Sequence, residues 1–308
     1  MRVALLVLAS IGGLALLWRA ADLLVDGAVA GAARLRVPPI VVGAVVVGLG
    51  TSAPEALVSV LAALDGSMDL AVGNVVGSNT ANLSLVLGCA ALLAPVLASR
   101  SALRRDLPLA VLATVALAFA VQDGLSRLDG VLLLVGLGVA LTLLLTGRGS
   151  AGSDPLPPRT GTLGRDLLTL LGGLVGVLVG AQLLVTGARG LAGELGLSEG
   201  FVGLTLVAVG TSAPELATAL AAARRGESEL VVGNVLGSNV FNSLLVAGLA
   251  GVVAPGAVVD RGLTIVAVLA MLLATALAAV AMVTRRRVTR LEGIGLLVVW
   301  LGLLPFSL

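Results

Sequence analysis

Apolar residues in this chain fall into ten long runs, separated by short segments that hold most of the charge. A membrane-crossing helix needs about 20 predominantly apolar residues. On that measure the runs lie near 3–33, 39–63, 69–95, 106–122, 128–147, 166–193, 200–223, 229–254, 262–283 and 291–307. The pattern predicts an all-α membrane protein of ten transmembrane helices. The first run imitates a secretory signal, with Met1-Arg2 ahead of it and Ala28-Val29-Ala30 as a would-be cleavage site. Asp22 and Asp26 interrupt it before that site, and residues 18–36 have a counterpart at 178–196. The run is therefore read as part of the structure.

Two runs are broken by the same six residues, Gly50-Thr51-Ser52-Ala53-Pro54-Glu55 and Gly210-Thr211-Ser212-Ala213-Pro214-Glu215. They belong to an internal repeat. Residues 41–88 laid on 201–248 without a gap give 24 identities in 48 positions. Upstream the match is weaker, with Asp22-Leu23-Leu24-Val25-Asp26-Gly27 facing Gln182-Leu183-Leu184-Val185-Thr186-Gly187. Two halves, 1–147 and 166–308, flank a Gly/Ser/Pro-containing linker at 148–165. Five helices per half is an odd number, so the second half must enter the membrane upside down.

The arginines agree with inversion. With the N-terminus outside, the inner connections carry Arg34, Arg36, Arg100, Arg104, Arg105, Arg148, Arg159, Arg165, Arg224, Arg225, Arg285, Arg286, Arg287 and Arg290, which is 14 of 19. The positive-inside rule then places both termini outside and the linker in the cytoplasm. The turns after the second and seventh runs differ as inversion requires. The segment Asp65 to Asp69 has no Arg, while its counterpart carries Arg224-Arg225. Inverted repeats with broken helices place ion sites near the bilayer midplane.

Composition narrows the function. The 308 residues are 58% hydrophobic and 12% charged, with a net charge of +2. All the basic residues are Arg, but no Arg stripe is interleaved with aromatics and only 2% of residues are aromatic, so nucleic acid is not the expected partner. The lipid bilayer is, and no obligate protein partner is evident. Without His, the His-Glu-x-x-His zinc site is impossible, and the single Cys89 has no histidine base. Neither an intramembrane enzyme nor a cofactor is expected.

The duplicated motif instead carries ion-binding chemistry. Proline in a helix removes a backbone donor and displaces the carbonyl four residues earlier. A carboxylate at bilayer depth is costly enough to be functional by default. Each half adds a second polar cluster, Gly73-Asn74-Val75-Val76-Gly77-Ser78-Asn79-Thr80-Ala81-Asn82 and Gly233-Asn234-Val235-Leu236-Gly237-Ser238-Asn239-Val240-Phe241-Asn242. Thr51 with Glu55, Ser78 with Asn82, Thr211 with Glu215 and Ser238 with Asn242 are each four apart, so each pair shares a helix face. For Asn74, Asn79, Asn234 and Asn239, interhelical hydrogen bonding and ion contact remain equal readings. Every candidate ligand is a hard oxygen, which suits Ca²⁺, Mg²⁺ or Mn²⁺ over Zn²⁺ or Cu²⁺. Ca²⁺ takes about six to eight oxygens in flexible geometry, and Na⁺ also binds dehydrated in such cages.

The paired Gly-Thr-Ser-x-Pro-Glu and Gly-Asn-x-x-Gly-Ser-Asn segments resemble the alpha repeats of the sodium/calcium exchanger family, within the calcium:cation antiporters. The resemblance covers the whole chain. It implies alternating access in the cytoplasmic membrane of a prokaryote and exchange of several Na⁺ for one Ca²⁺ at shared midplane sites. Carried onto this chain, the family's ligands fall on Thr51, Ser52, Glu55, Ser78, Asn82, Thr211, Ser212, Glu215, Ser238 and Asn242, with the Gly48 and Ala208 carbonyls as additions. Family members often have Asp at one of the two positions held here by Asn82 and Asn242, which bears on Na⁺ stoichiometry and cation choice. The joining loop has no room for the regulatory domains of the animal exchangers.

Two rivals stand beside this reading. A cation/proton antiporter on the same fold resembles Gly-Asn-Ala-Val-Glu at the helix break, without the Thr-Ser hydroxyl pair. A passive cation channel is the alternative of a different class, and inverted broken helices weigh against it.

Overall fold

The computed structural model describes residues 2–35, 37–146, 162–194 and 211–303. Gly210, the Ala208 carbonyl, Arg36, Arg148, Arg159, most of the linker and the first half of the 200–223 run lie outside the described residues. Helices occupy the apolar runs. In chain order they are α1 (Arg2–Leu35), α2 (Pro39–Thr51), α3 (Ala53–Leu64), α4 (Met68–Leu93), α5 (Leu107–Ala120) and α6 (Arg127–Thr146). The second half contributes α7 (Leu163–Glu194), α8 (Ala213–Arg224), α9 (Ser228–Val253), α10 (Arg261–Arg285) and α11 (Arg290–Leu303).

Among the described residues, six helices are long and apolar enough to cross a membrane, and α2 and α3, bent at their break, are together long and apolar enough to make a seventh. Their exposure differs in kind. The most apolar stretches of α4 and α9 are 83% buried, those of α1 and α7 only 17% and 22%. Thus α4 and α9 form the centre of the bundle, while α1 and α7 face lipid with residues such as Leu8, Ile11, Leu168 and Val175.

Contacts between the halves recur with the halves exchanged. Helices α1 and α7, equivalent in the repeat, pack against each other over much of their length. A Cβ on Gly13 would meet Leu184 N at 2.5 Å, and one on Gly27 would meet Leu170 Cα at 2.5 Å, so the pair runs antiparallel. Small residues are what allow backbones this close in a membrane. Arg2–Glu194 (3.2 Å) and Arg34–Asp166 (2.7 Å) pin the two ends. Likewise α6 packs on the second half of α9, and α11 on the second half of α4.

Two short antiparallel ribbons repeat the exchange. Strand β1 (Val96–Leu97) pairs with β4 (Arg287–Val288), and β2 (Gly124–Leu125) with β3 (Gly256–Ala257). Each ties the exit of one central helix, α4 or α9, to the other half. No apolar pattern announced these ribbons, because two-residue strands carry no periodicity.

The acids that interrupt the first run have partners in the other half. Asp22 accepts from Arg224 at 3.0 Å and lies 3.5 Å from Arg225, which also pairs with Asp26. The Arg224 guanidinium lies 3.7 Å from the Trp18 ring centroid. These groups are partly exposed, and each such pair contributes at most about 1 kcal/mol.

Candidate cation site

The two motifs break their helices in the same way. Ser52 (φ −80, ψ 4) and Ser212 (φ −84, ψ 5) leave helical geometry, and the following helix restarts with proline in its first turn. Across Ser52 the chain bends by 42°. The restart places Glu55 and Glu215 in the first turns of α3 and α8, and both are completely buried. A helix N-terminus favours negative charge there.

The central helices supply the second set of oxygens. Glycines on α9 let it approach α2 at backbone distance: Cβ atoms on Gly233 and Gly237 would come to 2.5 Å from the Ile40 and Ala44 carbonyl oxygens. This brings Ser238 Oγ to 3.4 Å from the Gly48 carbonyl oxygen. Both central helices then widen into a π turn that begins at the site asparagine, Asn82–Val86 in α4 and Asn242–Val246 in α9. Such turns occur mostly at functional positions, because the extra residue redirects side chains and loosens the carbonyl ladder. The turn at Asn82 packs against α8, which carries Glu215, and the turn at Asn242 packs against α3, which carries Glu55.

The structure brings the predicted residues together as follows. Ser78 and Glu215 neighbour the Glu55 carboxylate, and Thr51, Ser52 and Ser238 neighbour that of Glu215. Ser52 Oγ lies 3.4 Å from Glu215 Oε1, a contact between the halves. Thr51 donates to the Val47 carbonyl at 3.0 Å. All ten predicted side chains are buried. Among the described residues, both Glu55 oxygens, Glu215 Oε2, Ser212 Oγ and both amide atoms of Asn82 and Asn242 have no hydrogen-bond partner. Buried polar atoms are normally satisfied. Six of these atoms are oxygens (Glu55 Oε1 and Oε2, Glu215 Oε2, Ser212 Oγ, Asn82 Oδ1, Asn242 Oδ1), a donor set that fits a dehydrated hard cation.

The four remaining asparagines all donate hydrogen bonds through Nδ2, while among the described residues Asn79 Oδ1 and Asn239 Oδ1 are buried without a partner. Asn74 Nδ2 donates to the Glu55 carbonyl (3.2 Å) and to Ser59 Oγ (2.9 Å), and Asn234 Nδ2 donates to the Glu215 carbonyl (3.3 Å). Each therefore fastens a central helix to the backbone of the acid it serves. Asn239 Nδ2 donates to the Asn79 carbonyl (3.2 Å), and Asn79 Nδ2 donates to Ser243 Oγ (2.8 Å). Sequence reasoning missed Ser59 and Ser243. Neither has a serine 160 residues away, so the repeat gave no signal for them.

Helices of spanning length broken around two buried carboxylates with unpartnered oxygens define the class first: an integral membrane protein equipped to handle cations. The sequence profile described as "Sodium/calcium exchanger protein" matches residues 5–146 and 166–308. The chain belongs to the sodium/calcium exchanger family, a family of membrane transporters. It is 39% identical over 303 residues to the putative antiporter CaxA of Alkalimonas amylolytica, covering 94% of each chain. It is 40% identical over 255 residues to the inner membrane protein YrbG of Escherichia coli, covering 79% of this chain and 78% of that one. A solved structure of the sodium-calcium exchanger NCX_Mj superposes with a TM-score of 0.87 at 32% identity, over 98% of both chains.

Proposed function

We propose that this protein exchanges Na⁺ for Ca²⁺ by alternating access, using Thr51, Ser52, Glu55, Ser78, Asn82 and their counterparts Thr211, Ser212, Glu215, Ser238 and Asn242 as ligands. The reading is carried by one observation: Glu55 and Glu215 are fully buried at helix breaks of the two repeats and retain unpartnered oxygens. Two carboxylates bring a charge near −2, which one Ca²⁺ neutralises. Hydroxyls and helix-break carbonyls supply the neutral oxygens that Na⁺ needs in place of water. Ca²⁺ and Na⁺ are cargo, and no cofactor takes part. The test is reconstitution into Na⁺-loaded proteoliposomes diluted into Na⁺-free buffer. Uptake of ⁴⁵Ca²⁺ should follow the outward Na⁺ gradient and vanish when Na⁺ is equal on both sides. Uptake driven by a pH step and indifferent to Na⁺ would replace this reading with a proton antiporter, and uptake needing no counter-ion would replace it with a channel.

The accompanying architecture is ten spans in two inverted five-helix repeats, 1–147 and 166–308, joined by a cytoplasmic linker. Both termini lie on the outer face of a prokaryotic inner membrane. Antiparallel packing of the equivalent helices α1 and α7 supports it. A two-fold relation that exchanges antiparallel helices has its axis perpendicular to them, hence in the membrane plane. Cysteine at Ser67, in a Cys89→Ala background, is expected to react with an impermeant thiol reagent from outside. Cysteine at Ser228 should react only from the cytoplasmic side. Labelling of both from one face would refute inversion.

A further inference from the structure

One cavity outlined by the described residues contains none of the cation-site residues. It measures about 880 Å³ and sits beside the β1–β4 ribbon, lined by Arg285, Arg286, Arg287, Glu227, Glu229 and Leu97 among others. Three helix ends meet there: α2 begins at Pro39, α9 begins at Ser228, and α10 ends at Arg285. Ends of spanning helices lie where the hydrocarbon gives way to headgroups. Exposed apolar residues Leu277, Val280 and Val283 of α10 lead up to the same corner.

The charges in this cavity are opposed but do not meet. Among the described residues, none of the three guanidiniums has an ion pair or side-chain hydrogen bond, and neither Glu227 nor Glu229 pairs with them. Arg224 and Arg225, a few residues from Glu227, are by contrast engaged with Asp22 and Asp26. The turn that presents the three arginines is strained. Arg286 is the only non-glycine with positive φ among the described residues (φ 55), held by ribbon pairing and by its carbonyl accepting from Ala98 N at 2.8 Å. Strain of this kind collects at functional positions. A second, smaller cavity lies beside the β2–β3 ribbon and is lined by Asp123 and Asp129 and by no arginine.

We propose that this cavity binds the phosphoethanolamine headgroup of a membrane phospholipid. Arginine forks match phosphate oxygens in geometry and charge, and basic pockets between membrane helices are where headgroups bind. Arg285, Arg286 and Arg287 take the phosphate, and Glu227 and Glu229 accept from the ammonium group. The acyl chains lie on the apolar face of α10. The two glutamates select an amine-bearing zwitterion over a purely anionic headgroup, which they would repel. The inference is independent of which ions are exchanged.

The test uses the full chain in nanodiscs holding equal parts phosphatidylethanolamine, phosphatidylcholine and phosphatidylglycerol, with retained lipid read by native mass spectrometry. The ethanolamine lipid should be retained over both others. Arg286→Gly keeps the left-handed turn while removing the guanidinium, so it separates loss of binding from misfolding. Arg286→Gly and Arg287→Gln should each lower retention about tenfold, the loss of one charge-assisted contact. Arg287→Lys should restore part of it. Glu229→Gln should erase the preference over phosphatidylglycerol. Equal retention of the choline and ethanolamine lipids, or indifference to these variants, would overturn the proposal. Soluble phosphoethanolamine displacing the lipid at equal concentration would assign the cavity to a free metabolite instead.

Discussion

Glutamine at position 55 or 215 is expected to lower Ca²⁺ exchange by about 10²- to 10³-fold while leaving the protein folded and inserted. The size follows from the site. Removing one partner from a buried charge cluster costs about 3–5 kcal/mol, and each 1.4 kcal/mol is about a factor of ten in binding. Glutamine matches glutamate in shape, so the fully buried positions of the two side chains remain filled. A second measurement separates loss of binding from loss of fold. Without bound cation, two carboxylates share a buried site, so neutralising one should raise the thermal unfolding temperature of the ion-free protein. Adding Ca²⁺ should raise it for the wild type, since a ligand that binds only the folded state stabilises it, and should leave both variants unmoved. Near-normal exchange in either variant would remove the two-glutamate site.

Much of the fold is readable from apolar run length alone, because lipid allows only internally satisfied backbone to span it. The run at 3–33 is α1, that at 128–147 is α6, and that at 69–95 is α4, each to within about two residues at either end. The helix break is readable because proline has a local, context-free effect, and the structure places it at Ser52 and Ser212, two residues before each proline. What the sequence hides depends on packing at long separation. The π turns at Asn82 and Asn242 leave no mark in composition. Nor does the pairing of Asp22 and Asp26 with Arg224 and Arg225, about 200 positions away. The repeat identified site residues only where both copies kept the same chemistry. Ser59 and Ser243 pair with central-helix asparagines, but neither serine has a copy in the other half, and a search for symmetry passes over them.

Exchange is expected to be electrogenic and coupled to Na⁺, and the oxygen inventory is the reason. A carrier of protons needs only the two carboxylates. This site adds the hydroxyls of Thr51, Ser52, Ser78, Ser212 and Ser238, all buried, and the Gly48 carbonyl within 3.4 Å of Ser238 Oγ. Such neutral oxygens replace the hydration shell of Na⁺ and have no use for a proton. Asparagine at both 82 and 242 leaves Glu55 and Glu215 as the only acids among the predicted ligands, so bound Na⁺ in excess of two would carry uncompensated positive charge through the site. If more than two Na⁺ replace one Ca²⁺, each cycle moves net charge. The membrane potential then contributes about 2.3 kcal/mol per elementary charge per 100 mV, which is about fiftyfold in the Ca²⁺ gradient sustained at a fixed Na⁺ gradient. An inside-negative potential should favour Na⁺ entry and Ca²⁺ expulsion. Proteoliposomes clamped at opposite potentials with K⁺ and valinomycin, at one fixed Na⁺ gradient, supply the measurement. Ca²⁺ flux that depends on Na⁺ but not on voltage would mean that two Na⁺ replace one Ca²⁺, the electroneutral ratio that two carboxylates alone would set.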